Sequence, residues 1–272
     1  MRLVRHPVLC NYYVTYRCNA KCSFCDIWEK PSPYITPQDV AQNLRDLKRL
    51  GVKVIDFTGG EPLLHRQLPE FLALAKQLGF ITTVTTNGLL YPKNAEKLRG
   101  LVDMLHFSLD SADRATHDRG RGVACYDFVL ESIRVAKELG ERPDILFTVF
   151  RHNLADLQVV YDTITRPNGL MLIINPAFEY GEVETGESLT DAELDFLSAF
   201  GKRRGVSSTK ALSRCGATAA TTWPRPCAGP PAPRSSFRPA TSWCCPATTW
   251  ASRSSLSKAG FLTSTTRPKP SA

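Results

Sequence analysis

Cys18-Asn19-Ala20-Lys21-Cys22-Ser23-Phe24-Cys25 places three thiols in one short loop with the spacing C-x3-C-x2-C. Three thiolates can hold three corners of a [4Fe–4S] cube, which leaves the fourth iron without a ligand from this loop. An open iron can bind a small molecule, so such a cluster can do chemistry as well as carry electrons. Zinc is the main competing reading. A closed structural zinc site takes four Cys or His ligands, usually as two knuckles, and no second knuckle follows at a useful distance. Buried cysteines without metal are the plainer alternative.

The flanking sequence reads as alternating strands and helices. Val8 to Thr15 alternates and is rich in Val and Tyr, so it predicts a strand that delivers the cysteine loop at its C-terminal end. Cys10, on that strand, reads as core. Thr36-Pro37-Gln38-Asp39 has the cap, the first-turn proline and the acid of a helix start, and Gly51 ends the apolar repeat Val40, Leu44, Leu47, Leu50. Further strands are expected at 52–57, 81–86, 102–110, 145–150 and 170–174. Helices are expected at 68–78, from Pro92, at 126–139 and at 154–164. A capping box, Thr190-Asp-Ala-Glu193, opens a last helix near 201. About six such alternations predict α/β architecture with parallel strands and crossover helices. In strand four His106, Ser108 and Asp110 share one face, and in strand three Thr83, Thr85 and Asn87 line up. Polar residues at C-terminal strand ends suit an open-mouthed barrel with its site there.

Gly59-Gly60-Glu61-Pro62 directly follows the second strand. By itself Gly-Gly is a turn signal. Together, the three-cysteine loop with an aromatic before its last cysteine and the downstream GGEP resemble the radical S-adenosylmethionine (SAM) enzymes, near the molybdenum-cofactor cyclase and the SPASM-type peptide-modifying group. The segment Asn175 to Tyr180 also resembles, more weakly, the adenosyl hopene transferases. The resemblance spans about Val8 to Gly201 and implies a partial (β/α)6 TIM-like barrel. It implies that Cys18, Cys22 and Cys25 ligate a [4Fe–4S] cluster and that SAM chelates the open iron. One electron then cleaves the sulfonium and yields a 5′-deoxyadenosyl radical that attacks a small metabolite, cofactor precursor or peptide. A flavodoxin- or ferredoxin-like donor supplies the electron.

The same resemblance places Phe24 near the adenine and Gly59, Gly60 and Glu61 at the methionine ammonium. Glycines let backbone carbonyls approach an amine, and a carboxylate is its countercharge. Ser108 and Asp110 match the ribose-binding position. Asn87 lies either near SAM or in a turn, since Asn-Gly is a turn dipeptide. Arg151 either pairs with the methionine carboxylate or is a surface arginine. His106, Asn175, Glu179 and Tyr180 either face substrate or are ordinary barrel and loop residues. His117 to Gly122 reads as a basic, flexible loop near the mouth that either contacts an anionic substrate or is simply solvated. No nucleophile–base pair stands out and none is required, because the radical comes from the cofactor. The alternative function is a non-catalytic iron–sulfur carrier or scaffold, which needs neither the GGEP turn nor the barrel.

The chain has 272 residues, 43% of them hydrophobic, which suffices for a packed core. Its net charge of +8 is a property of the tail. From Gly205 onward lie nine of the 34 basic residues and none of the 26 acids, so the rest is close to neutral and no nucleic-acid groove is expected. No apolar run reads as a signal peptide or a membrane span, and a labile cluster needs reduced thiols, so a cytoplasmic protein is expected.

Two domains are drawn: a core at 1–204 and a basic, low-complexity tail at 205–272, irregular and disordered by composition. Codons for Arg214 to Trp223 can be read in an overlapping frame as LRRDGGNHV, and those for Pro239 to Trp250 as PGNELVLPCYHL. The tail therefore reads as a possible frameshift product. In that frame VLPC resembles the start of an extension holding an auxiliary Fe–S cluster, whereas Cys215, Cys227, Cys244 and Cys245 show no metal-site spacing as they stand.

Overall fold

The computed structural model describes residues 7–32, 34–177 and 189–208. Glu179, Tyr180, the cysteines from Cys215 on, and the tail beyond Ser208 lie outside the described residues. Seven parallel strands follow one another across one sheet in sequence order: β1 Leu9–Thr15, β2 Val54–Gly59, β3 Ile81–Thr86, β4 Met104–Ser108, β5 Asp144–Val149, β6 Leu172–Pro176 and β7 Val206–Ser208. Sequential order without a switch point is that of an unrolled (β/α) barrel. Among the described residues β1 and β7 are not paired, so the barrel is open.

The crossovers carry α1 Pro37–Arg49, α2 Leu68–Gln77, α3 Tyr91–Leu98, α4 Arg114–Arg121, α5 Tyr126–Glu138, α6 Asp156–Val160 and α7 Arg166–Asn168, and α8 Asp191–Phe200 precedes β7. The α1 start is as read: the Thr36 hydroxyl accepts the Asp39 N–H, and Val40, Leu44 and Leu47 are buried. Strand alternation divides the sheet into two faces. Ile55, Phe57, Val84, Leu105, Phe107, Ile145, Phe147, Leu172 and Ile174 join one core with Leu44, Leu72, Val129 and Leu157 of the helices. The opposite face carries Asn11, Tyr13, Asp56, Thr85, His106, Thr148 and Asn175, all half-buried. A parallel sheet covered on both faces would be apolar throughout; here the polar face is left for a site.

Three expectations change. A seventh strand is present: Val206 pairs with Leu172, so the sheet runs past the boundary drawn at 204. The segment read as a flexible loop at 117–122 lies mostly within helix α4. Asp113 caps it by accepting the Thr116 N–H, and Gly122 closes it at φ 64°. Gly120 and the run of charges hid that helix. Finally, the helix expected at 154–164 passes through a π-helical turn, Tyr161–Thr165, before α7.

Candidate functional site

The cysteine loop is gripped from three sides. At its base the Ser32 hydroxyl accepts the Tyr16 N–H at 2.7 Å and lies 3.0 Å from the Thr15 hydroxyl. On the β2 side the N–H groups of Gly60 and Glu61 donate to the Thr15 and Arg17 carbonyls, both at 2.8 Å. This approach requires glycine: a Cβ on Gly59 would stand 2.1 Å from the Thr15 oxygen, and one on Gly60 2.3 Å from that of Arg17. On the α4 side Ser23 N–H donates to the Gly120 carbonyl at 3.0 Å, and a Cβ on Gly122 would meet the Lys21 oxygen at 2.2 Å.

Cys18, Cys22 and Cys25 are half-buried free thiols on this loop. Burial pushes Cys18 up to about 11 and raises Cys22, so metal binding must displace protons. Among the described residues, only His117, Asp118 and Cys125 bring three such donor atoms within 4.8 Å of one another. Three thiols on one clamped loop are the donor set that suits a cube taking each sulfur on a different iron.

Glu61 is fully buried. Its carboxylate accepts the Leu63 N–H (3.0 Å), the Thr86 hydroxyl (2.8 Å) and the Asn87 N–H (2.9 Å). Burial nevertheless pushes its pKa up to about 7. The carboxylate is thus also engaged internally, as a latch between the GGEP turn and the end of β3. Asn87 in turn reaches the loop: its side-chain N–H donates to Asn19 Oδ1 at 2.8 Å, and Nδ2 lies 4.0 Å from the Cys18 sulfur. It also forms its own turn by accepting the Leu89 N–H, so both roles expected of it coexist.

Asp110 is also committed. Oδ1 accepts the Thr148 N–H at 2.9 Å, and Oδ2 forms a buried ion pair with Arg121 at 2.6 Å. Asp110 thus serves Thr148 and Arg121 of its own chain, and Ser108 is buried at the adjoining strand end. Arg121 was missed by the sequence reading; its guanidinium lies 5.3 Å from the centre of the Phe24 ring, and its charge pulls the Cys22 thiol down against the burial that raises it. Phe24 packs on Phe150, with ring centroids 4.9 Å apart. Behind them the Asp110 N–H donates to His117 Nδ1, so the ring proton lies on Nε2, 3.3 Å from the Cys125 sulfur. Burial lowers His117 to about 4 and keeps it neutral.

Arg151 is exposed and lies 3.4 Å from Glu193 of α8. On the polar sheet face His106 Nδ1 lies 3.5 Å from Asp144, and Asp56 accepts the Thr83 and Thr85 hydroxyls. Asn175 lies on β6 of that face.

An open parallel half-barrel with a three-thiol loop at the C-terminal ends of its strands is the class this geometry defines. The profile of the Radical SAM superfamily matches residues 12–164, more than half of the chain, and the chain belongs to that superfamily. It is 31% identical over 157 residues to the Fe-coproporphyrin III synthase of Methanosarcina barkeri, covering 56% of this chain and 39% of the relative. It is 36% identical over 145 residues to a Saccharolobus solfataricus protein named "Probable GTP 3',8-cyclase", covering 52% and 47%. The chain thus spans less than half the length of these two relatives. Among solved structures, Streptococcus suis SuiB bound to its precursor peptide SuiA superposes with a TM-score of 0.66 at 20% identity, over 75% of this chain and 49% of SuiB. Native anSMEcpe with AdoMet and a peptide superposes with a TM-score of 0.58 at 18% identity, over 74% and 62%. These likenesses concern the fold.

Proposed function

We propose that the chain is a radical SAM enzyme whose cluster is held by Cys18, Cys22 and Cys25. The observation that carries this is the clamped loop, with three half-exposed thiols at the rim of a polar sheet face. The bound cluster would supply the electron that cleaves SAM to a 5′-deoxyadenosyl radical. The chain's own groups bind and orient. Gly59 and Gly60 keep the turn beside the loop, Glu61 locks it, and Asn87 ties it to the end of β3. Phe24 and Ser108 border the place assigned to the adenosyl group. Arg151, exposed beside Glu193, is the weaker assignment for the methionine carboxylate.

Substrate enters the polar face, where His106 and Asn175 are the proposed contacts. The substrate class is a small metabolite, cofactor precursor or peptide. The names of the relatives, a porphyrin synthase and a GTP cyclase, support the first two, and the likeness to peptide-bound SuiB accommodates the third. An external flavodoxin- or ferredoxin-like protein is the proposed electron donor, in the reducing cytoplasm; among the described residues no helix is long and apolar enough to cross a membrane. The core is proposed to end with β7, and the basic tail to be a frameshifted continuation, which the coding DNA tests.

The experiment is anaerobic reconstitution followed by dithionite and SAM. About four irons per chain and release of 5′-deoxyadenosine are expected. Tetrahedral zinc in place of iron defeats the reading, and a full cluster without 5′-deoxyadenosine favours a carrier.

A further inference from the structure

Arg121 is a fully charged side chain in a place that gives it little water. It is 7% exposed, and its ion-pair partner Asp110 is 6% exposed. An arginine is buried only at a cost that its partners must offset. Its Nε–H is buried without a hydrogen-bond partner among the described residues. The guanidinium is fixed by the Asp110 carboxylate at 2.6 Å and by the Phe24 ring beneath it, one residue before Cys25 and two after Cys22. Asp110 is itself fixed by the Thr148 N–H, and its carbonyl accepts from Asn153 Nδ2 at 3.1 Å. The helix carrying Arg121 is seated on the loop through Ser23 and Gly120. A charge so held, against one of three metal-binding sulfurs, acts on whatever charge is placed there.

We propose that Arg121, oriented by Asp110, is a positioning residue that sets the reduction potential of the cluster held by Cys18, Cys22 and Cys25. This rests on the cluster reading above. Reduction adds one electron, supplied by an external low-potential reductant, and makes the cluster more negative by one charge. A buried cation beside the ligand loop favours that state over the oxidised one. Asp110 acts in the opposite sense by its own charge, and in the same structure it holds the guanidinium in place. The remaining charged or titratable groups around the pair are Asp118, His117 and Cys125.

The test uses the whole chain, reconstituted anaerobically, beside Arg121→Gln, Asp110→Asn and the double variant. Iron, sulfide and cluster absorbance are measured first, and the reduced signal is then titrated by EPR against potential. Arg121→Gln is expected to shift the midpoint to more negative potential, Asp110→Asn to more positive, and the double variant to lie between them. Equal midpoints, or shifts of one sign, in variants that retain full iron would overturn the proposal while leaving the cluster reading intact. Should Arg121→Gln fail to hold iron, Asp110→Asn decides alone, and an unchanged midpoint there overturns it. A wild-type chain that takes up no cluster removes both.

Discussion

Glu61, found by its motif, is a carboxylate that also serves its own chain. Its carboxylate is enclosed by three donors of its own chain, yet burial lifts its pKa from 4.5 to about 7. Below 4.5 both folded and unfolded chains carry the proton. Between 4.5 and 7 only the folded chain keeps it, so stability falls as pH rises through this window. The loss reaches up to about 3 kcal/mol above pH 7. Asp56 and Asp144 are also raised by burial and act in the same direction. Urea unfolding from pH 5 to 8 is therefore expected to show a shallower decline in Glu61→Gln than in the parent; identical slopes would place the titration elsewhere. At the loop, Cys18→Ala, Cys22→Ala and Cys25→Ala are each expected to drop reconstituted iron to near background, measured by metal analysis. The three thiols were legible because their spacing lies within one loop. Arg121 was not, because its partners Asp110, Phe24 and Cys22 are distant in sequence and only the fold brings them together.

Helix α4 is the element that the sequence hid. Two glycines and five charged residues within 113–122 look like a solvated loop, but Asp113 and Gly122 are its caps. The two glycines behave oppositely. Gly120 has nothing within 4 Å of the point where a Cβ would stand and no left-handed φ, so Gly120→Ala is expected to stabilise by about 0.5–1 kcal/mol. Gly122 has φ +64°, and there the Lys21 carbonyl oxygen would lie 2.2 Å from a Cβ. Gly122→Ala is expected to destabilise by more than about 1 kcal/mol and to impair iron uptake. Thermal melts of the two single variants check both signs. By contrast α1 was readable to within a residue, since Thr36, Pro37 and the apolar repeat are local signals. The π-helical turn at Tyr161–Thr165 carries no such signal, because it differs from α-helix only in hydrogen-bond register.

Over the whole molecule, the parallel architecture was legible from the alternation of elements, and strand seven was not. Val206–Ser208 is three residues long and gains its pairing from β6, with Leu172 N–H donating to Gly205 at 2.8 Å. A chain cut after Ser208 is expected to keep the far-UV circular dichroism of its core and its melting temperature, whereas one cut after Arg204 is expected to melt lower because it bares the β6 edge. Equal melting of the two would place the end of the folded core before β7.

Each strand lies beside its predecessor in the chain, so a nascent polypeptide can add one strand–helix unit at a time without waiting for a distant partner. The thiol loop and its glycine turn are complete once Gly60 has emerged, but the helical side of the grip arrives only with Gly122. During that interval of about sixty residues the ribosome-bound chain carries three thiols with one wall of their grip missing, a window in which metal ions and oxidants alike have their widest access.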